Sequence, residues 1–570
     1  MTQSLFQSRI KTISIFVFAF SLILILKLFY VQVLNKNDYA LRADKQYATP
    51  AGDIFDRGSI FFSKKDGSLV AAGTVASGFK VALNTKNVTD KDALYIALEP
   101  YTDMDRDTFM TRASKSNDPY EEVALHLTKE QADHISSLKL SGVSVYKDNW
   151  RFYPGESLAS QTLGFLAYKE DDKVGQYGLE RFYNSTLSKP KDEAYVNFFA
   201  EVFSNLRDSV SSSDNKQGDI VTTIEPSTQH ILESELLAAL KKWNADQAGG
   251  IIINPQNGEI YAITGLPDFD LNNFGKVSDI EYYKNPIVES VFEFGSVIKP
   301  LVMAAALDKG VVTPETTYVD KGVVVVNKKE IHNFDLKARG LASMQTVLDQ
   351  SLNTGMVFVE DRLGHSNMRS YMKAFGIGEK TGIDLPNETS GLIKNLESPR
   401  DIEYANASFG QGIALTPIGA LRAFSAISNG GKLVTPHLVK QIRYEDGPSK
   451  IIDYPITREG IIKPETSETI TRMLVHVYEA YDNGAHKFEH FSVASKTGTA
   501  QVAMDNGKGY YEDRHMHSFF GYFPAYDPKF LVFLFLNNPK EVRYASQTLI
   551  PPFVSISKYL VNYYDVPPDR

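Results

Sequence analysis

Apolar positions along this chain fall into three patterns, each predicting a different kind of element. Near the N-terminus an uncharged run from Ile13 to Leu26 is followed by Lys27 and further apolar residues through Leu34. Helical residues rise about 1.5 Å each, so Ile13–Leu26 covers only about 21 Å, short of a ~30 Å hydrocarbon core. Ile13 to Leu34, with Lys27 snorkelling, reaches about 33 Å and predicts one membrane span. No small-x-small cleavage site follows the run, so an uncleaved anchor is expected over 13–34. Arg9 and Lys11, with no acidic residue before the span, predict a cytoplasmic segment over 1–12 and everything beyond about residue 35 outside.

The second pattern has helical spacing. Pro226 followed by Ile231, Leu232, Leu236, Leu240 and Trp243 predicts a helix. Leu301 to Leu307 is an uncharged run closed by Asp308 and Gly310, so that helix is buried on nearly every side. Proline is tolerated only in the first turn, and Pro300 therefore pins the helix start close to Ser296. Pro552 to Tyr564 predicts a closing helix.

The third pattern is that of strands. Gly250–Ile253, the turn Asn254–Gly258 and Ile260–Ile263 form a predicted hairpin. Phe491–Thr499, Ser518–Phe523 and Phe530–Leu536 add three later strands. Together they predict one antiparallel five-stranded sheet with helices packed on it, an α+β domain over 218–566 whose middle, roughly 296 to 485, is mostly helix and loop. Residues 36–216 are mixed and polar with no catalytic constellation, and the Ser/Asp/Asn-rich segment Asp208–Gly218 is the expected linker.

Composition narrows the function. A chain of 570 residues, 43% of them hydrophobic, can bury more than one core. A formal net charge of −9 argues against a nucleic-acid partner. The chain has no cysteine, which removes disulfides, thiolate catalysis and cysteine metal sites and fits an exported protein. His515 and His517 lack a convincing third ligand and are expected to be solvated on a polar loop, so neither metal nor cofactor is expected.

The chemistry centres on Ser296. Lys299 lies three residues on, so its amine projects from the same helix face and can reach the serine hydroxyl, a nucleophile beside a base. Ser-x-x-Lys by itself recurs at Ser136/Lys139, Ser188/Lys191 and Ser213/Lys216, all in polar surroundings. To act as a base at neutral pH, a lysine must fall from about 10.4 to near 7, about 4 kcal/mol of bias against the ammonium form. Burial and a second cation, for which Lys496 is the candidate, both push that way. Ser351 and Asn353 flank Leu352 on an irregular step after Leu348-Asp349-Gln350; an isolated Ser-x-Asn would by default be a helix cap. Lys496-Thr497-Gly498-Thr499 ends an apolar-alternating strand. Gly498 admits a close-lying substrate backbone, Lys496 and the threonine hydroxyls suit a terminal carboxylate, and the N–H groups of Ser296 and Thr499 suit an oxyanion hole. A second Lys-Thr-Gly, at Lys380–Gly382, lies between Gly378 and Pro386 in a loop with no strand pattern before it, and Lys380 is expected to be solvated.

Ser296/Lys299, Ser351/Asn353 and Lys496–Thr499 occur in the order found in penicillin-recognising serine enzymes, and the chain resembles a class B penicillin-binding protein, most like the cell-division (FtsI-type) branch. Further stretches carry the resemblance: Gly52–Arg57, Asp66–Ala71, Arg151–Gly155 and Gly178–Tyr183 look like the non-catalytic pedestal, and Ser408–Pro417 and Asn429–Gly431 favour the division branch. Ala51, Gly58 and Phe294 depart from the family pattern. The resemblance implies a transpeptidase fold of the penicillin-binding, β-lactamase-like type. It further implies that Ser351 relays a proton to the leaving group and that Asn353 hydrogen-bonds the substrate peptide. The implied ligands are peptidoglycan stem peptides, penicillin and other β-lactams; the implied partners are a SEDS-type glycan polymerase and divisome membrane proteins. A hydrolase on the same fold, a D,D-carboxypeptidase or β-lactamase, and a non-enzymatic division scaffold or β-lactam receptor are the alternatives.

Overall fold

In a computed structural model of the chain, residues 56–116, 118–169, 172–188, 217–445, 447–504 and 509–570 are described, with isolated helical positions between 18 and 27. The anchor expected over 13–34 and the linker up to residue 216 lie outside the described residues except for those positions, and among the described residues no helix is long and apolar enough to cross a membrane.

The site is carried by one sheet. Helix α1 (Pro226–Lys242) starts with proline in its first turn and is capped by the Glu225 carboxylate, which accepts from the Thr228 N–H at 2.6 Å. Strands β1 (Gln247–Ile253) and β2 (Ile260–Leu266) form the early hairpin. The helices α2 (Lys299–Asp308), α3 (Asn353–Leu363), α4 (Pro417–Ser428) and α5 (Pro464–Ala480) fill the middle of the chain. Strands β3 (Ala494–Ala503), β4 (Tyr510–Phe523) and β5 (Phe530–Asn537) return to the sheet, and α6 (Ala545–Tyr563) follows. The sheet is five-stranded and antiparallel throughout, as the strand pattern predicts, and its order is β3-β4-β5-β1-β2.

Strand β5 shows why the sheet is central. Successive side chains point to opposite faces, and both of its faces are buried. Leu531, Phe533 and Phe535 join the core that contains α2 and α4, while Val532, Leu534 and Leu536 join Leu232, Leu236, Phe553 and Leu560 of α1 and α6. The lysine strand β3 is left as an edge.

Two elements begin earlier than expected. Strand β4 starts at Tyr510, not Ser518, which places His515 and His517 in the sheet instead of on a solvated loop. His517 shares the period-2 face of Phe519, a face covered by α6, so it is fully buried, its Nδ1 is 2.9 Å from the Thr548 hydroxyl, and burial pushes it down to about 4. Helix α6 starts at Ala545 and runs through Pro551 and Pro552. Buried Leu549, Ile550, Phe553 and Ile556 hold it across the missing N–H donors, so packing overrides the local breaker.

The chain divides into two compact units. Residues 57–74, 151–169 and 172–188, expected within the 36–216 region, belong to the larger one with the sheet. There Glu180 accepts from Arg57 Nε at 2.7 Å and from Arg151 Nε at 2.6 Å, with the Tyr153 hydroxyl at 3.2 Å. These groups come from the stretches that resemble the pedestal, and their side chains are almost wholly excluded from solvent. The smaller unit takes in residues 75–150, with a core of Val81, Leu94, Phe109, Val123 and Ile135 under helices capped by Asp90, Asp105 and Thr128.

Candidate active site

Ser296 sits in a single 3-10 turn, Gly295–Ile298, that leads directly into α2. Three close approaches press that turn against the lysine strand and the glycine-rich loop. A Cβ on Gly498 would lie 2.3 Å from the Phe294 carbonyl oxygen, and one on Gly410 only 2.1 Å from that of Gly295. The Ser518 hydroxyl, on β4, donates to the Phe294 oxygen at 2.7 Å. Phe294 is itself buried and meets Phe533 edge-on at 5.0 Å, so the aromatic ring at this departure from the family pattern is absorbed by the core.

Lys299 begins a helix buried on almost every side and has no exposed surface. Its hydrogen bonds run to the Ser351 carbonyl at 2.6 Å, the Ser351 hydroxyl at 3.1 Å and Asn353 Oδ1 at 2.8 Å, not to the Ser296 hydroxyl expected from helical spacing. The reason lies in the backbone. Ser351 has φ of 52°, a left-handed conformation that costs an ordinary residue roughly 1–2 kcal/mol, and this step between two short helices turns its carbonyl and hydroxyl onto the amine. Burial first, and the Lys496 cation second, hold the Lys299 amine well below the ordinary lysine value.

Lys496 is 1% exposed, and burial pushes it down to about 7 against an upward pull from Asp349. Its Nζ donates to the Thr497 carbonyl at 3.1 Å. Thr497 donates its N–H to the Tyr481 hydroxyl at 3.1 Å, on the open edge of β3. N–H groups two residues apart leave a strand on the same side, so the Thr499 N–H faces that edge too. The Thr499 hydroxyl accepts from the Ala545 N–H at 3.2 Å. Phe334 and Tyr544 meet edge-on at 5.8 Å; Tyr544 precedes Ala545, and Phe334 lies two residues after His332, whose carbonyl takes the Asn353 amide.

The motifs converge from far apart in sequence: the serine turn against Gly498, and Lys299 against Ser351 and Asn353. The other Lys-Thr-Gly does not join them. Lys380 is exposed, and Thr381 is buried as a donor to Glu388 through both its N–H, at 2.5 Å, and its hydroxyl, at 2.6 Å. Tyr481 and Ser518 lie outside every motif and have no spacing signal, because they reach the site through sheet register and packing. Among the described residues no group of His, Asp and Glu could hold a metal ion.

Two family models match the chain: the penicillin binding protein transpeptidase domain over residues 248–555 and the penicillin-binding protein dimerisation domain over residues 52–223. The chain is similar to the Stage V sporulation protein D of Bacillus subtilis, with 35% identity over 436 residues, 75% of this chain and 66% of that protein. It is 25% identical to the Peptidoglycan D,D-transpeptidase FtsI of Buchnera aphidicola, over 99% of this chain and 96% of the relative. Penicillin Binding Protein 2X of Streptococcus thermophilus shares the fold with a TM-score of 0.69 at 20% identity, covering 90% of this chain and 80% of that one.

Proposed function

Because this chain belongs to the class B penicillin-binding proteins, we propose that it is a peptidoglycan D,D-transpeptidase that cross-links stem peptides through an acyl-enzyme on Ser296. One observation carries the reading: a lysine with no exposed surface, next to the serine turn, bonded to Ser351 and Asn353 and held below its ordinary value. A neutral amine has two N–H donors and one lone pair. It donates to the Ser351 carbonyl and to Asn353 Oδ1, which leaves its lone pair to the third contact, the Ser351 hydroxyl at 3.1 Å, and in acylation that lone pair turns to the Ser296 hydroxyl.

In the acylation step Lys299 takes the Ser296 hydroxyl proton as the oxygen attacks the penultimate D-Ala carbonyl of the donor peptide. The resulting oxyanion is held by the N–H groups of Ser296 and Thr499. The Ser351 hydroxyl, 3.1 Å from Lys299 Nζ, passes that proton to the leaving amine, and D-Ala departs. An acceptor amine from a neighbouring strand then attacks the ester carbonyl; its proton returns through Lys299 to Ser296. The terminal carboxylate of the donor pairs with Lys496, restoring the charge that burial disfavours, and bonds to the hydroxyls of Thr497 and Thr499. Asn353 and Gly498 receive the peptide backbone. Penicillin and other β-lactams acylate Ser296 by the same attack, and their leaving nitrogen stays tethered.

Residues 13–34 anchor the protein in the membrane with residues 1–12 in the cytoplasm, and the 36–216 pedestal and 218–566 transpeptidase regions lie outside. The site works in septal wall synthesis beside a SEDS-type glycan polymerase and other divisome membrane proteins. The test uses the full chain in detergent with labelled penicillin. Peptide mapping should find one adduct on Ser296 that is absent in Ser296→Ala, and an adduct on another serine would overturn the mechanism. Incubating a pentapeptide donor with an added amine separates the alternatives: an amide product supports transpeptidation, acid product alone indicates a hydrolase, and no turnover indicates a scaffold or receptor.

A further inference from the structure

Asp320 belongs to none of the three motifs and no step above uses it, yet its carboxylate is 1% exposed and densely bonded. It accepts from the Gly322 N–H at 2.9 Å, the Arg339 N–H at 2.9 Å, the Thr354 hydroxyl at 2.8 Å and Asn333 Nδ2 at 3.0 Å to each oxygen. A carboxylate is acceptor-only, so every partner must present a donor, and that fixes both ends of the Asn333 amide. The Asn333 nitrogen faces Asp320, and its oxygen takes the Thr354 N–H at 3.3 Å in the first turn of α3. The loop carrying residues 332 and 333 is thereby pinned to the start of α3, one residue from Asn353.

There the His332 carbonyl accepts from Asn353 Nδ2 at 3.0 Å. The two ends of an asparagine amide are nearly identical in shape, so the partner at one end decides what the other end presents. With its nitrogen committed to His332, Asn353 can offer Lys299 only its oxygen, which is what lies 2.8 Å from Nζ.

We propose that Asp320 is a positioning residue for the transpeptidase reaction: through Asn333 and Thr354 it presents the His332 carbonyl to the Asn353 amide and so turns the Asn353 oxygen onto Lys299. This rests on the transpeptidase reading above. If the loop is released, the Asn353 amide can turn over and aim its NH2 group at the amine. That NH2 repels the ammonium form and donates to the lone pair of the neutral form, the lone pair that must take the Ser296 proton. Acylation should slow. Because the ammonium form also loses an acceptor, Lys299 should lose its proton more readily, and the acid limb of the pH–rate profile should move to lower pH. Lys496 on β3, and Asp349 which acts on Lys496, are the same in every variant; Asp320→Asn also removes a buried negative charge, a loss that by itself lowers Lys299, so the displacement in Thr354→Val, which changes no charge, isolates the amide.

The experiment measures the second-order acylation constant of the full-length protein with fluorescent penicillin from pH 6 to pH 9, normalised to the folded fraction. Asp320→Asn is the direct change, since it sets an NH2 group against the donors of one oxygen. Thr354→Val removes one donor at nearly constant volume and reads the same effect where Asp320→Asn unfolds. Thr354→Ser keeps the hydroxyl and is the rescue. The expected result is a loss of roughly 10- to 100-fold in Asp320→Asn or Thr354→Val with the acid limb moved to lower pH, and wild-type behaviour in Thr354→Ser. Folded variants with wild-type rates and profiles, or a loss with the acid limb unmoved, would overturn the positioning role. Wild-type protein that takes no penicillin on Ser296 would instead overturn the transpeptidase reading.

Discussion

Ser518 on β4 donates its hydroxyl to the Phe294 carbonyl at 2.7 Å, which ties the sheet to the turn that carries Ser296 two residues later. Ser518 has no exposed surface, so no water can replace it without rearrangement. Ser518→Ala leaves a carbonyl without this partner and should destabilise the protein by about 1–3 kcal/mol. If the bond also sets the serine turn, acylation per folded molecule should fall too. Urea denaturation and penicillin acylation on the same preparation measure the two separately.

The glycine-rich loop offers a second probe of the turn. Gly410→Ala would put a Cβ 2.1 Å from the Gly295 oxygen, and Gly410 already has φ of 84°. The atom in the way is backbone, so relief requires moving the residue next to Ser296. Gly430 has φ of 82° with nothing within 4 Å of its Cβ position. Both alanine variants should show the backbone cost of about 1–2 kcal/mol, but only Gly410→Ala should also lose acylation. Equal acylation in the two would show that the approach of Gly410 does not constrain the nucleophile.

Stability should rise with pH above neutrality. Lys496 is held at about 7 in the folded protein and returns to the ordinary lysine value near 10.5 when unfolded. Between those values the unfolded chain binds more protons, so the unfolding free energy increases with pH by up to about 1.3 kcal/mol per pH unit from this group and levels off above. Lys299, also depressed, adds in the same direction. Lys496→Met should flatten this rise, and the difference between wild-type and variant denaturation at pH 7 and pH 9 removes the titrations they share. A variant that follows the wild-type slope would mean that Lys496 is not depressed by burial.

Much of this was legible in the chain because the central sheet and helix are buried on both sides. The continuous run Phe530–Leu536 and the uncharged stretch after Pro300 both leave local signatures of such burial. Residues answering to long-range partners were not legible. The residues around His517 predict solvation because nothing nearby in sequence shows that α6 covers its face, and the helix predicted from the sequence is shorter than α6 because two prolines mask a helix that packing sustains. Helical spacing put Lys299 near Ser296, but the left-handed step at Ser351 that redirects its amine has no sequence signal in a serine. The cradle of Asp320, Asn333 and Thr354 joins residues that lie 13 to 34 positions apart in the chain.

The two Lys-Thr-Gly sequences allow a test within one chain. Lys380 is exposed on a loop whose threonine is spent on Glu388, and its own carbonyl accepts from Arg422 Nη1 at 3.3 Å. Lys496 is buried on the edge strand, and its cation helps to lower Lys299. On the proposed mechanism, removing the Lys496 amine takes away a charge-assisted hydrogen bond to the substrate carboxylate and lets the Lys299 pKa rise. The loss in transition-state stabilisation should be about 2–4 kcal/mol, or roughly 30- to 1,000-fold in the acylation rate. Surface substitutions usually change stability by no more than about 0.5 kcal/mol, so Lys380→Ala should acylate at nearly the wild-type rate. Second-order acylation constants for Lys380→Ala and Lys496→Ala, measured side by side at pH 7 and pH 8.5, decide the matter. A large loss in Lys496→Ala alone, partly relieved at the higher pH as Lys299 deprotonates, is the expected outcome. Comparable losses in both variants, or the larger loss at Lys380, would reverse the assignment of the carboxylate-binding strand.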